Sequence, residues 1–422
     1  MNQIQLNKRE SNRSMVRSCG KSIGVALFCL YVFISSLAND MVLSSSIGSL
    51  TLYLFLGFSV FYILLNKKLK IDRMIKWMLV FIAFCIFSMF YSPEKGFLSD
   101  SEFYLLIVNF ILILFLSQYD ININDIKKIS WAKVLSGGVL IFILFARGKL
   151  TGFSTSNRFG QDLFGNSNIL ASLLMQSALC AIWLFVYSEN KIIQKIVLAL
   201  CLVAMYYGMF LSGGRKFIII PPIFLYILLI FKRDSHGRKH LLKYTGVVIA
   251  IVIAVYYLIM NVPAFYAVIG ERMESLFSFI RTGHSVSGQS AELRATFIKI
   301  GFNRWVDSPI WGYGFDSFKY YNRLMTGYFC YSHNNYIELL FNLGIIGFAI
   351  YYWFYWKLFY LAWKGKKRYT PEIRAFVIGI VFSMLVFEYG AVNYTVTASQ
   401  IMLFFACTLL KEARYERRYI DE

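Results

Sequence analysis

Apolar residues in this chain fall into long runs, without the alternation of a half-buried strand or the narrow stripe of a surface helix. The runs lie near 22–38, 41–65, 74–91, 101–117, 134–146, 168–187, 196–211, 216–231, 244–262, 334–358, 375–391 and 395–410, with polar or charged residues between them. A helix needs roughly 20 apolar residues to cross a bilayer, so the pattern predicts twelve spans, with the run at 134–146 the shortest. The expected fold class is therefore an all-α polytopic membrane protein. Its expected divisions are an N-terminal arm at 1–21, helices 1–9 within 22–262, a loop at 263–332, helices 10–12 within 333–410 and a tail at 411–422.

Composition agrees with that class. Hydrophobic residues make up 58% of the 422 and charged residues 16%, against about a quarter charged in soluble domains. A net charge of +20 raises the question of nucleic acid, and the distribution of the charge answers it. Lys and Arg cluster at every second junction between runs, which is the positive-inside pattern. With the N-terminus inside, the inner segments hold 29 of the 43 basic residues. Both termini are then cytoplasmic, the 263–332 loop is outside, and no nucleic-acid partner is implied. The first span lacks a small-residue cleavage site and is expected to stay as an anchor. Only Cys330 of the seven cysteines lies in the outer loop, so no disulfide framework is expected.

The outer loop has ordinary soluble composition. Residues 264–282 read as one helix and "SVSGQS" as a flexible turn. "AELRATFIKIGFNRWVDS" reads as an amphipathic helix with Leu293, Phe297, Ile300 and Trp305 on one face, and "PIWGYGFDSF" as a Gly-rich turn. Such a cap suits a cavity between spans. There is no Gly-x-x-x-x-Gly-Lys-Ser/Thr phosphate loop and no Asp-x-Asp pair for a metal-bound nucleotide sugar. His236 and His240 have helical metal-ligand spacing, but they sit in a basic inner loop without a third ligand and read as a solvated loop. No metal and no cofactor is expected.

What remains is polar chemistry at the outer ends of the runs: Arg158 and Asn168 before the sixth, Arg215 between the seventh and eighth, Arg294 on the loop helix and His333 at the mouth of the tenth. Taken singly, Arg158 and Arg294 are solvated loop charges, Arg215 an interfacial anchor, Asn168 a helix-start residue and His333 an interfacial cap. Gly344 and Gly347 are a close helix-packing site. Taken together, three arginines and a histidine on one membrane face make a site for a multiply anionic group beside a group able to take a proton. Glu388 and Glu338, ionisable residues inside runs, are further candidates, able to orient an arginine or act as an alternative base. Asp40 stands alone in the first outer loop.

Four stretches carry a family resemblance. "NRFGQDLFGNSNILASLL", "SGGRKF", "ELRATFIKIGFNRWVDSPIWGYGFDSF" and "SHNNYIELLFNLGIIGFAIYY" occur in this order between 150 and 355. They resemble the Arg-led turn with Asn-x-x-Ala, the Ser-x-x-Arg turn, the Arg-led loop helix ending in Pro and Gly-x-Gly, and the His-Asn-x-Tyr…Gly-x-x-Gly entry of the O-antigen ligase and Wzy-type polysaccharide polymerase superfamily. The resemblance implies a GT-C-like, metal-independent glycosyltransferase in the bacterial cytoplasmic (inner) membrane, with its large loop between helices 9 and 10. It implies His333, Arg215 and Arg294 as catalytic, and Arg158, Asn168, Asn334, Tyr336 and Glu338 as substrate-binding. Donor and acceptor would be polyprenyl diphosphate-linked oligosaccharides, in contact with membrane lipid, with a flippase and a chain-length regulator as further partners. Polymerase is preferred to ligase because the stretch after His333 is closer to polymerase-like members. The other class weighed is a transporter of lipid-linked oligosaccharide, for which repeated halves and broken midplane helices are the marks.

Overall fold

A computed structural model describes residues 2–38, 42–92, 101–150, 152–154, 157–232, 238–283 and 290–418. Asp40, His236 and residues 285–289 of the "SVSGQS" turn lie outside these, as does the side chain of His240. The described residues are mostly helical: α1 (Asn2–Leu37), α2 (Ser45–Asn66), α3 (Arg73–Met89), α4 (Ser101–Leu116), α5 (Ile123–Ala146), α6 (Gln161–Phe164), α7 (Ser167–Tyr187), α8 (Ile192–Leu211) and α9 (Arg215–Phe231). Then come α10 (Arg238–Asn261), α11 (Pro263–Phe265), α12 (Glu271–Thr282), α13 (Ser290–Trp305), α14 (Phe318–Thr326), α15 (Asn335–Lys364), α16 (Pro371–Glu388) and α17 (Thr397–Arg418). No strand forms among the described residues.

Among the described residues, eight helices are long and apolar enough to cross a membrane: those at Arg17–Leu37, Ser45–Asn66, Glu102–Tyr119, Ile123–Ala146, Ser167–Tyr187, Ile192–Leu211, Leu242–Asn261 and Asn335–Lys364. The other four runs of the sequence coincide with α3, α9, α16 and α17. Large apolar side chains stand on the outside of the bundle, among them Val203 (70% exposed), Leu64 (67%) and Tyr257 (64%). In water such a surface would aggregate; facing lipid it satisfies the same side chains, and the chain is a multi-pass membrane protein. The fifth span departs from the pattern. It begins at Ile123 under an Asn122–Asp125 capping box, so Lys133, read as an inner-loop charge, lies buried within the helix. The lysines at 127, 128 and 133 interrupted the apolar run without interrupting the helix.

α7 is the central helix, flanked by α5, α8 and α9, with α16 against α9 and α15. The segment at 264–282 is helical, as its sequence suggests, but Tyr266–Gly270 makes a π-helical turn between α11 and α12. α15 is a larger surprise. It is broken at Gly344, whose φ of 61° and ψ of −169° no other residue type adopts readily. The stretch Pro309–Gly314 is laid into the break. Ile345 and Ile346 donate their amides to the Pro309 and Ile310 carbonyls at 2.9 and 3.4 Å, and Tyr313 and Gly314 donate to the Phe341 and Asn342 carbonyls at 2.9 and 2.7 Å. A Cβ on Gly344 would stand 2.2 Å from the Ile310 oxygen. Gly312 of "GYG" and Gly344 of "GIIG" thus meet each other, and the loop's backbone supplies partners that the broken helix lacks. Buried backbone cannot be left unpaired in a membrane.

Candidate functional site

The site is assembled where α7, α9 and α15 begin and α8 and α16 end. The turn after α8 sets its first half. Gly213 takes φ +68°, and a Cβ there would come within 3.1 Å of both the Arg158 side chain and Val268. The Phe159 amide donates to the Leu211 carbonyl at 3.1 Å, which ties the Arg158 turn to the end of α8. Two arginines are then cross-braced: Arg215 Nη1 donates to the Arg272 carbonyl at 2.5 Å, and Arg272 Nη1 donates to the Gly213 carbonyl at 2.9 Å. The "SGGR" turn and the first residues of α12 are clamped together by their own guanidinium groups.

The second half is α13 and the entry to α15. Phe297 is buried against Phe318 and Phe341 in a small core of the loop. Its ring stacks on His333 at 6.3 Å, and Tyr331 packs on the same imidazole at 4.4 Å. Arg294 is one turn before Phe297 on α13, so the stacking also delivers its guanidinium towards His333. His333 has the left-handed backbone, φ +57°, uncommon for a non-glycine residue. Its neighbours hold it there. Glu338, fully buried, accepts the Ser332 amide at 2.7 Å and the Asn342 side-chain amide at 3.1 Å. Ser332 Oγ donates to the Asn334 carbonyl at 2.8 Å, and Asn334 Oδ1 caps α15 through the amides of Tyr336 and Ile337.

The electrostatics confirm that the two halves meet. Burial lowers the Arg158 pKa, and Arg294 lowers it further; burial also lowers that of Arg294. Arg272 is pushed down to about 9, first by burial and then by Arg158, Arg215 and Arg294. His333 is pushed down to about 4, by burial first and then by Arg294 and Lys216. Lys216 donates weakly to the Phe387 carbonyl at 3.4 Å and lies over the rings of Phe387 and Phe217. Among the described residues no carboxylate pairs with Arg158, Arg215, Arg294 or Lys216. Cations gathered without counter-ions at a half-buried place form a site for an anion. The imidazole beside them is neutral at ordinary pH. No group of three or more His, Cys, Asp and Glu that could hold a metal ion stands together among the described residues.

The structure thus brings together Arg158, Arg215, Arg294 and His333 of the sequence reading. Asn168 lies in the first turn of α7, its amide capped by Asn166 at 2.9 Å. Asn334, Tyr336 and Glu338 have another place: their hydrogen bonds run to protein atoms, Tyr336 to the Leu385 carbonyl and Asn334 also to the Tyr389 carbonyl. They shape the turn that carries His333. Among the described residues Glu388 has no arginine partner. It is fully buried and accepts from the hydroxyls of Tyr351, Tyr352 and Tyr355 and from Asn393, and Asn335 joins this network through Tyr352 and Asn393.

Sequence reasoning missed Arg272 and passed over Lys216. The signal for Arg272 was slight, a lone arginine ten residues past the expected span at 244–262 and flanked by glutamates on a helix that reads as solvated. Lys216 was visible as the neighbour of Arg215 and was counted only as a loop charge.

Fold and site define a multi-pass helical membrane protein with a cationic site and a neutral histidine at one end of the bundle. Residues 199–352 match the O-Antigen ligase family model (Wzy_C), so this stretch is similar to the O-antigen ligase/Wzy superfamily. The match contains Arg215, Arg272, Arg294 and His333; Arg158, Asn168 and Glu388 lie outside it. No curated protein matches the chain.

Proposed function

We propose that the protein is a polysaccharide polymerase of the bacterial cytoplasmic membrane, with its site on the extracytoplasmic side and both termini inside. The twelve-span GT-C-like arrangement, with the cap between the ninth and tenth spans, belongs to this reading. Donor and acceptor are polyprenyl diphosphate-linked oligosaccharides. The growing glycan is moved from its diphosphate to the terminal hydroxyl of a lipid-linked repeat unit.

In the step, the acceptor oxygen forms a bond to the anomeric carbon and the bond from that carbon to the phosphate oxygen breaks. The electron pair leaves with the diphosphate, and the hydroxyl proton goes to His333. Guanidinium groups hold phosphate oxygens in a planar fork, and charge that grows on the leaving group is stabilised most by donors already in place. Arg215 and Arg294 take that role, with Arg158 beside them and Asn168 at the rim. The diphosphate already makes the donor reactive, so neither nucleotide nor metal is required. A flippase would deliver the substrate and a chain-length regulator would limit the product.

The observation that carries the reading is the set of unpaired cations around a neutral imidazole. The description of the matching family model, O-Antigen ligase, favours a second reading in which the acceptor is lipid A core. Purified protein given one lipid-linked repeat unit separates the two. A ladder of longer lipid-linked chains supports the polymerase; products only after lipid A core is added identify the ligase. A transporter would move the lipid-linked glycan across a vesicle without lengthening it. The break in α15 is a feature expected of transporters, but here it is filled by the loop's own backbone.

A further inference from the structure

Four rings stand in contact at His333. Phe297 stacks on the imidazole at 6.3 Å, Tyr328 meets Phe297 edge-on at 6.4 Å, and Tyr331 packs on the imidazole at 4.4 Å. Phe297 is buried, whereas Tyr328 is 49% and Tyr331 37% exposed. Neither tyrosine hydroxyl has a partner among the described residues. A tyrosine that serves only to pack is usually buried with its hydroxyl bonded. These two leave both ring and hydroxyl open beside the imidazole. His333 does not depend on Tyr331 for its place, because Phe297 stacks on it and Ser332, Asn334 and Glu338 fix its turn. For holding a ring, phenylalanine would serve as well.

We infer that Tyr331 and Tyr328 form the acceptor subsite, a platform for a pyranose ring that presents one hydroxyl to His333. The inference rests on the glycosyl transfer proposed above. The C–H face of a pyranose carries slight positive charge and lies well against the negative face of an aromatic ring. A few polar groups at the edge then fix which hydroxyl points inward. The Tyr331 hydroxyl is able to donate there: burial raises its pKa, Arg294 lowers it and Glu102 raises it, with the net direction upward, so the proton stays on. Diphosphate and acceptor thus have separate ground around one imidazole, guanidinium groups for the first and open rings for the second.

The test follows a polyprenyl diphosphate-linked repeat unit with purified full-length protein, counting both free polyprenyl diphosphate and glycan transferred. Where the acceptor is poorly held, water replaces it. Its oxygen bonds to the anomeric carbon, the bond to the phosphate oxygen breaks, the proton goes to His333, and free glycan leaves beside polyprenyl diphosphate. Wild type should release one polyprenyl diphosphate per transfer. Tyr331→Ala should lower transfer about tenfold, the scale of one lost ring contact and hydrogen bond, with more than one release per transfer. Raising the repeat-unit concentration should restore the coupling. Tyr331→Phe, which keeps the ring, should fall between, and Tyr328→Ala should uncouple in the same direction. Arg294→Lys should lower release and transfer together. An equal loss of release and transfer in Tyr331→Ala, or no loss of either, would overturn the subsite and leave Tyr331 a packing residue. If Tyr331→Ala does not fold, wild-type coupling in both Tyr331→Phe and Tyr328→Ala overturns it equally. A wild type that neither releases nor transfers would overturn the glycosyl-transfer reading itself.

Discussion

At the scale of single residues, the account rests on the charge state of His333. Held near a pKa of about 4 by burial, Arg294 and Lys216, the imidazole is neutral and free to accept a proton, though it is a weak base. Protonation disables it, so kcat/KM, which reports the free protein, should fall as the pH drops through about 4, well below the ordinary histidine range. A bound diphosphate offsets the neighbouring cations and lets the imidazole hold a proton more tightly. The acid limb of kcat should therefore lie above that of kcat/KM. Coincident limbs near 6.5 would contradict the environment described here. His333→Ala should lower kcat by about a hundred- to ten-thousand-fold, the usual contribution of a general base. For Arg215→Lys and Arg294→Lys the charge survives and the fork does not. Turnover should fall tenfold or more, a loss of at least ~1.4 kcal/mol of transition-state stabilisation, and wild-type turnover in both would make them interfacial anchors. The identities of these residues were legible because each opens a span or a loop helix with an otherwise unexplained polar side chain. Arg272 was not legible, because its place depends on Gly213, 59 residues away, and no local pattern reports that contact.

At the scale of elements, the break in α15 joins the loop to the site. "PIWGYG" read as a turn and Gly344 with Gly347 as a packing site; neither local reading contains the other, and only the fold shows that Gly312 of the turn and Gly344 meet in one joint. Gly344→Ala should be among the most damaging substitutions in the chain. The positive φ alone costs about 1–3 kcal/mol, and the added methyl would meet the Ile310 carbonyl at 2.2 Å. The expected result is loss of folded protein in a detergent-stability assay, and a variant as stable as wild type would refute the joint. The start of α5 at Ile123 was hidden for a different reason. Hydropathy records side chains and misses a capping box that lets a helix begin among lysines.

At the scale of the whole molecule, helix and membrane class were legible because span length is set by bilayer thickness and charge bias by orientation. The topology makes its own prediction. Leu324, on α14 and 82% exposed, and Lys366, exposed between α15 and α16, should lie on opposite sides. Cysteines placed there should react with an impermeant thiol reagent from outside and only after permeabilisation, respectively. Labelling of both from the same side would sink the arrangement.

The central claim is that one constellation, the arginines around His333, breaks a sugar–diphosphate bond and forms a glycosidic one. Its most direct measurement follows a polyprenyl diphosphate-linked repeat unit, labelled in both lipid and glycan, with purified protein in the presence of a chelator. The account predicts one free polyprenyl diphosphate for each glycan transferred, with both products lost in His333→Ala and sharply reduced in Arg294→Lys. Release that persists unchanged in His333→Ala, or movement of the intact labelled lipid across a vesicle with no bond broken, would contradict it.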